Sequence, residues 1–356
     1  MQSVIVKPFS VVGFALLALV HCASAEIALS ESLAVEGLVD LYGVYRDAEP
    51  QVGASEREAL DIDQLSLSFL FESAAYSGQL DVAHEGTDDG RGLLLEQLFV
   101  ALPFAEGTLT LGQYASMLGF EAFDPMALYQ SSTAYDMDLS GDFSVLNQYA
   151  YGAKYTYATA VNFFGLSVQG GAAEVEVNPL HEPYAESDAM LEIAAAHDWG
   201  QGWTSFIGGT HTLGRSDSRT HSINAYVSYE IAAWVFAAEF NHFRAQTGAS
   251  LSSLANAGAA ALAAEETVRQ WLLMANYTLT DATSLTLRIS QSHHDSQLTA
   301  GGRIAADLTK YTLAHTFAYS DQISLVTELS RSDAQAPAGI SLTEGILGSA
   351  RVLFTF

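Results

Sequence analysis

Basic residues are scarce in this chain, with 14 Lys+Arg against 41 Asp+Glu and a formal net charge of −27. So acidic a protein is repelled by a phosphate backbone, which excludes nucleic acid as a partner. Cysteine is scarcer still: Cys22 stands alone, so no intramolecular disulfide can form. Charged residues of both signs reach only 15%, below the roughly 25% of ordinary soluble domains. The longest apolar run, Val11 to Val20, is about ten residues, half of what a bilayer-spanning helix needs. No Gly-rich phosphate loop, nucleotide fingerprint or heptad run is present, so no cofactor is expected.

What the chain does have begins with a leader. Lys7 precedes the apolar run, and Ala23-Ser24-Ala25 supplies the small residues of a signal-peptidase site. Residues 1–25 are therefore read as a signal peptide and 26–356 as the mature protein. His21 stands where a lipoprotein site needs a small residue, which argues against acylation of Cys22. Loss of the leader removes that cysteine and Lys7, taking the formal charge from −27 to −28. Hydrophobic residues reach 49% and aromatics 11%, too many for a disordered acidic chain.

From Leu33 onward the apolar residues recur with period two, the period of a strand whose faces meet different solvents. In Thr283 to Gln291, Leu285, Leu287 and Ile289 share one face and Thr286, Arg288 and Ser290 the other. Tyr149, Tyr151, Tyr155 and Tyr157 alternate in the same way with Gly152, Lys154 and Thr156. Runs of this kind number about sixteen, with fourteen to eighteen left open because strand ends are blurred by two to four residues. Short turns such as Gly200-Gln201 and Thr280-Asp281 alternate with long connections rich in Gly, Pro, Asp and Ala. One rim of short turns and one of long loops is how an outer-membrane β-barrel is built, with the long loops outside the cell. A soluble sandwich also alternates, but it does not reserve its longest loops for one end. An all-β transmembrane barrel in a Gram-negative outer membrane is expected, lying among outer-membrane lipid and lipopolysaccharide. Only Glu26 to Ser32 precede the first strand, which leaves no plug domain.

The third long connection, residues 116–147, is the longest. It holds Glu121, Asp124, Asp136, Asp138 and Asp142 and no Lys or Arg. Connections of this length usually carry function, and this one is expected to fold into the lumen and narrow it.

The chain ends Val352-Leu353-Phe354-Thr355-Phe356. This resembles the C-terminal strand of Gram-negative outer-membrane proteins, and the resemblance implies that Phe354 and Phe356 are the signal read by the barrel-assembly machinery. Sixteen strands, a longest third loop and a terminal Phe together resemble the outer-membrane porins. In the trimeric general porins the third loop presents carboxylates opposite a ladder of basic residues. The resemblance implies a constriction formed by Glu121, Asp124, Asp136, Asp138 and Asp142, and a homotrimeric assembly. The wall candidates are Arg46, Lys154, Arg288, Lys310 and Arg351, which are scattered rather than clustered, a departure from the porin ladder. Gly112-Gln113-Tyr114 followed by Gly119-Phe120-Glu121 is similar to the strand-to-loop passage of the β-barrel porin-2 (OmpL-like) family.

The expected function is passive diffusion of small hydrophilic solutes or ions, with a preference for cations, and no enzymatic turnover. Inward parity adds Glu36, Asp40, Asp81, Glu96, Glu192, Glu239 and Glu328 to the loop carboxylates. Two rivals stay open: a structural or adhesive barrel whose acidic outer loops bind cations, and a hydrolase at the rim. His293-His294-Asp295 is the feature that would serve the second, and it is read as the top of an external loop. Gly248 to Glu265 is Ala-rich and could form a short helix. No metal site is expected.

Overall fold

The computed structural model describes residues 27–48, 58–85, 93–121, 125–136, 144–146, 148–172, 175–176, 189–212, 219–251, 262–298, 301–335 and 344–356. The first strands are β1 (Ile27–Ala28), β2 (Leu33–Ala48), β3 (Glu58–Glu72), β4 (Ser77–Glu85), β5 (Leu93–Phe104) and β6 (Gly107–Ala115). A single 3₁₀ turn, Pro125–Ala127, lies before β7 (Tyr149–Ala158), β8 (Asn162–Ala172) and β9 (Val175–Glu176). Then come β10 (Ala189–Gly200), β11 (Trp203–Thr212), β12 (Arg219–Ile231), β13 (Trp234–Leu251) and β14 (Leu262–Thr280). The last are β15 (Thr283–Leu298), β16 (Arg303–Ala318), β17 (Ile323–Gln335) and β18 (Gly345–Thr355).

Setting aside the two-residue strands β1 and β9, sixteen antiparallel strands pair in chain order, and β18 closes the sheet on β2 from Gly345↔Ala48 to Thr355↔Leu38. Closure leaves no sheet edge, the condition for a sheet to cross a bilayer. The ladder runs to the end of the chain: Gly37 N donates to Phe356 O at 2.8 Å and Phe356 N to Gly37 O at 3.1 Å. A Cβ on Gly37 would stand 2.2 Å from the Phe356 ring, so this glycine makes room for the terminal aromatic.

The alternation read from the sequence is inverted relative to a soluble protein. On β15 Leu287 is 60% exposed while its neighbour Arg288 is 3% exposed, and Thr286, Ser290, Ser292 and Ser296 are buried. The apolar residues face outward, where lipid takes the place of water. Aromatics gather at the short-turn rim, with Trp203 stacked on Tyr229 at 4.2 Å and Trp234 against Tyr277 at 4.5 Å. Such residues sit at the membrane–water boundary, apolar body in lipid and polar tip in water.

Two bulges shape the first part of the wall. The register slips between Asp40↔Gln64 and Leu41↔Ile62, which leaves Asp63 as an extra residue, and again between Asp81↔Gln97 and Val82↔Leu95, which leaves Glu96. A bulge re-aims a side chain, and here Asp63 reaches Arg351.

Two expectations are corrected. His293-His294-Asp295 is not a loop top: β15 continues to Leu298 and β16 resumes at Arg303. The Ala-rich stretch is strand at both ends, since β13 runs to Leu251 and β14 starts at Leu262, with 252–261 outside the described residues. The leader, residues 1–25, lies outside them too.

A candidate pore constriction

The chain leaves the sheet at the end of β6, and the Gly112-Gln113 pair shows how. Gly112 has φ +127° and a Cβ there would lie 2.2 Å from the Leu98 carbonyl, so only glycine fits. The Gln113 amide then donates to the carbonyls of Leu95 (2.7 Å) and Glu96 (3.0 Å), beyond the last β5–β6 pair, Leu98↔Gln113. Ser116 N makes a last ladder bond to Gln148 O at 2.9 Å.

Beyond it the backbone must find new partners, because buried N–H groups without acceptors are costly. Inward-facing wall residues supply them in order around the barrel. Glu192 on β10 accepts from Ser116 Oγ (2.7 Å) and Met117 N (2.9 Å). Asn224 on β12 accepts from Gly119 N at 3.1 Å, and Glu239 on β13 from Phe120 N at 2.7 Å. On the far side Glu328 of β17 accepts from Ser131 N (2.8 Å), Ser132 N (3.0 Å) and Ser132 Oγ (2.5 Å). Hydrogen bonds to charged groups contribute about 1.5–3 kcal/mol each, so Glu192 and Glu328 hold the two sides of this segment strongly, with Glu239 a further acceptor between them.

Cations hold its carbonyls. Arg288 on β15 donates to Ser132 O (2.9 Å) and Thr133 O (3.0 Å), and Lys310 on β16 to Asp136 O (2.8 Å) and Ser132 Oγ (2.7 Å). Both side chains are 0% exposed. Arg288 also pairs with Glu121 at 2.6 Å. The same Glu121 carboxylate accepts from Gln130 Nε2 (2.5 Å) and Ala134 N (2.6 Å), pinning the segment to itself.

An apolar layer completes the fit. Phe120, Tyr129, Ala134 and Tyr135 pack on Val235, Ala237, Leu272 and Met274 of β13 and β14. Burial raises the Tyr135 phenol well above its usual pKa, so it stays neutral and donates to Glu239 Oε2 at 3.1 Å. Met117 and Leu118 pack near Phe163, Ala194 and Phe206. Wall glycines leave them space: a Cβ on Gly165 would meet Met117 Sδ at 2.2 Å, and one on Gly208 would meet Leu118 at 2.5 Å.

The described part of the segment thus lies along the inner face from β10 to β17. Of its expected carboxylates, Glu121 and Asp136 are described, and Asp124, Asp138 and Asp142 lie outside the described residues. Asp136 is within electrostatic reach of Tyr42 on β2. The expected wall cations are dispersed. Lys154 donates to Ala115 O at 3.0 Å and lies 4.5 Å over the Tyr114 ring, at the base of the segment. Arg351 pairs with Asp40 at 3.2 Å and with the bulged Asp63. Arg46 stands in β2 opposite Leu347. The anchoring role of Glu192, Glu239 and Glu328 and the glycine sockets were not foreseen. The available signal was a carboxylate or a glycine at an inward position in mid-strand.

His293, His294 and Asp295 are divided between the two faces of β15, and the outward Asp295 is held by Arg303. His294 faces inward and bonds Ser292 Oγ at 2.7 Å, whereas His293 faces outward and pairs with Asp307 at 2.7 Å. Neighbours on a strand point to opposite faces, so the two cannot share a reacting atom. Among the described residues no group of three or more His, Cys, Asp and Glu is placed to hold a metal.

The family model described as beta-barrel porin-2, OmpL-like, matches residues 32–356. No curated protein matches in sequence. Several solved structures share the fold. The outer membrane channel DcaP of Acinetobacter baumannii is similar at TM-score 0.66 and 12% identity, over 93% of this chain and 99% of that one. An anion-selective porin from Comamonas acidovorans is similar at 0.63 and 12%, over 91% and 99%. OmpT, an outer membrane protein of Vibrio cholerae solved in a trimer form, is similar at 0.60 and 9%, over 92% and 100%.

Proposed function

Because the chain belongs to the beta-barrel porin-2, OmpL-like family of outer-membrane barrels, we propose that it is a passive diffusion channel for small hydrophilic solutes, constricted by residues 116–147. The observation that carries this reading is the anchoring of that segment across the inner face from β10 to β17 by Glu192, Glu239, Arg288, Lys310 and Glu328. Sixteen strands enclose an aqueous lumen, and a segment bound along one wall narrows it toward the other.

The pore prefers cations. Arg288 and Lys310 are withdrawn from water beneath the segment, so they cannot attract anions. The arc of wall that the described part of the segment leaves free carries Glu36, Asp63 and Glu96 at part-exposed inward positions, with Asp40 and Asp81 buried among them and Arg351 between Asp40 and Asp63. The anion-selective relative has the same fold, so the sign of selectivity is set by side chains and not by architecture. The trimer form of OmpT supports a homotrimer here as well. Planar-bilayer recording of the purified protein tests the channel itself: stepwise, ohmic conductance is expected, and a silent bilayer with correctly folded barrel would refute it.

A further inference from the structure

Cations are rare in this chain, yet five arginines gather on the outward face at the long-loop ends of β12 to β17: Arg219, Arg244, Arg269, Arg303 and Arg331. Histidines join them. Outward parity is fixed by the exposed Ile223, Phe240, Leu273 and Leu287 on the same strands. In one cross-strand row His211 faces His221, which faces Arg244, and in the next His242 faces Arg269, which faces His293. The His221 and His242 rings are 6.3 Å apart.

Three of the five arginines and one of the histidines have an acidic partner. Arg244 pairs with Glu265 at 2.8 Å, His293 with Asp307 at 2.7 Å, Arg303 with Asp295 and Arg331 with Asp333. Arg219 and Arg269 are exposed and make no ion pair among the described residues, and Arg269 has His242 and His293 on either side. Two residues below it on the same face is Trp271, its indole N–H donating to Gln291 at 2.8 Å, and then Leu273. Two residues of strand span about 6.6 Å. Arg269 therefore projects just above the top of the apolar band, the depth at which lipid headgroups lie against an aromatic girdle.

We propose that His221, His242 and Arg269 bind a phosphate group of a phosphorylated outer-leaflet lipid, whose acyl chains lie on the apolar band around Ile223, Phe240 and Leu273. The chemistry fits: a guanidinium forks onto phosphate oxygens, and the His242 and His221 imidazoles on its β13 side, 6.3 Å apart, add donors. The basic side chains of this belt are opposite in sign to the net charge of the chain. This inference requires only that the barrel sits in the outer membrane and is independent of the channel reading.

The test uses the full-length mature barrel in detergent and measures retention of lipid A by native mass spectrometry. Wild type should retain the doubly phosphorylated form about tenfold more strongly than the dephosphorylated one. The Arg269→Gln/His242→Gln variant should lose that preference, while Arg269→Lys keeps most of it and both variants keep heat-modifiable mobility and wild-type conductance. Equal retention of the two lipid forms by wild type would overturn the proposal, as would an unchanged preference in the double variant. Inorganic phosphate displacing lipid A at equal concentration would overturn it too, because the apolar band would then contribute nothing.

Discussion

At the scale of single residues, buried charges hold the inner segment to the wall. Arg288 reaches one carboxylate and two carbonyls of the inner segment. Removing one partner of such a pair leaves the other uncompensated, at a cost of about 3–5 kcal/mol. Arg288→Met should therefore release residues 116–147 from the wall without unfolding the barrel, whose strands are held by their own ladder. Protease added to purified protein should cut the variant within this segment while wild type resists, and equal resistance would show that Arg288 is not an anchor. Gly208→Val should act similarly from the other end, because a side chain there occupies the place of Leu118. The inward parity of Arg288 and Lys310 was legible in the sequence, since both stand on the polar face of alternating runs. What they hold was not, because their partners lie more than 150 residues away in the chain and have no periodicity of their own.

At the scale of elements, strand and turn were the most legible features. Alternation marks a strand wherever its faces meet lipid and water, as in β6, where Leu109 and Leu111 alternate with Thr108 and Thr110. The pattern fades once a strand rises above the lipid. His293 and Asp295 on the outer face of β15 look like loop residues for that reason, although they continue the ladder. The last strand carries its own prediction. Deleting Phe356 removes two ladder bonds to Gly37 and the ring above it, so the outer membrane should contain little heat-modifiable barrel. Normal amounts would show that the terminal aromatic is dispensable. For sidedness, an epitope inserted in 252–261 should be accessible on intact cells and one at Ser320-Asp321 should not. The reverse would invert the barrel.

At the scale of the whole molecule, the net negative charge is unevenly distributed, and this asymmetry links structure to selectivity. Outward arginines gather at the long-loop ends of β12 to β17, the inward Arg288 and Lys310 are covered by the segment, and carboxylates with Arg351 lie on the arc that the described part of the segment leaves free. In a passage narrower than the roughly 8 Å Debye length at physiological salt, such carboxylates are incompletely screened and exclude anions. The residues to change are Asp136, Asp138 and Asp142, and not Glu121, whose carboxylate is needed to hold the segment in place. The most direct measurement is the reversal potential in a tenfold salt gradient for wild type and for the triple variant Asp136→Asn, Asp138→Asn, Asp142→Asn. Wild type should show cation preference, and the variant should shift toward zero, more at low salt than at high. An unchanged reversal potential in the folded, conducting variant would contradict the claim that residues 116–147 set the pore's selectivity.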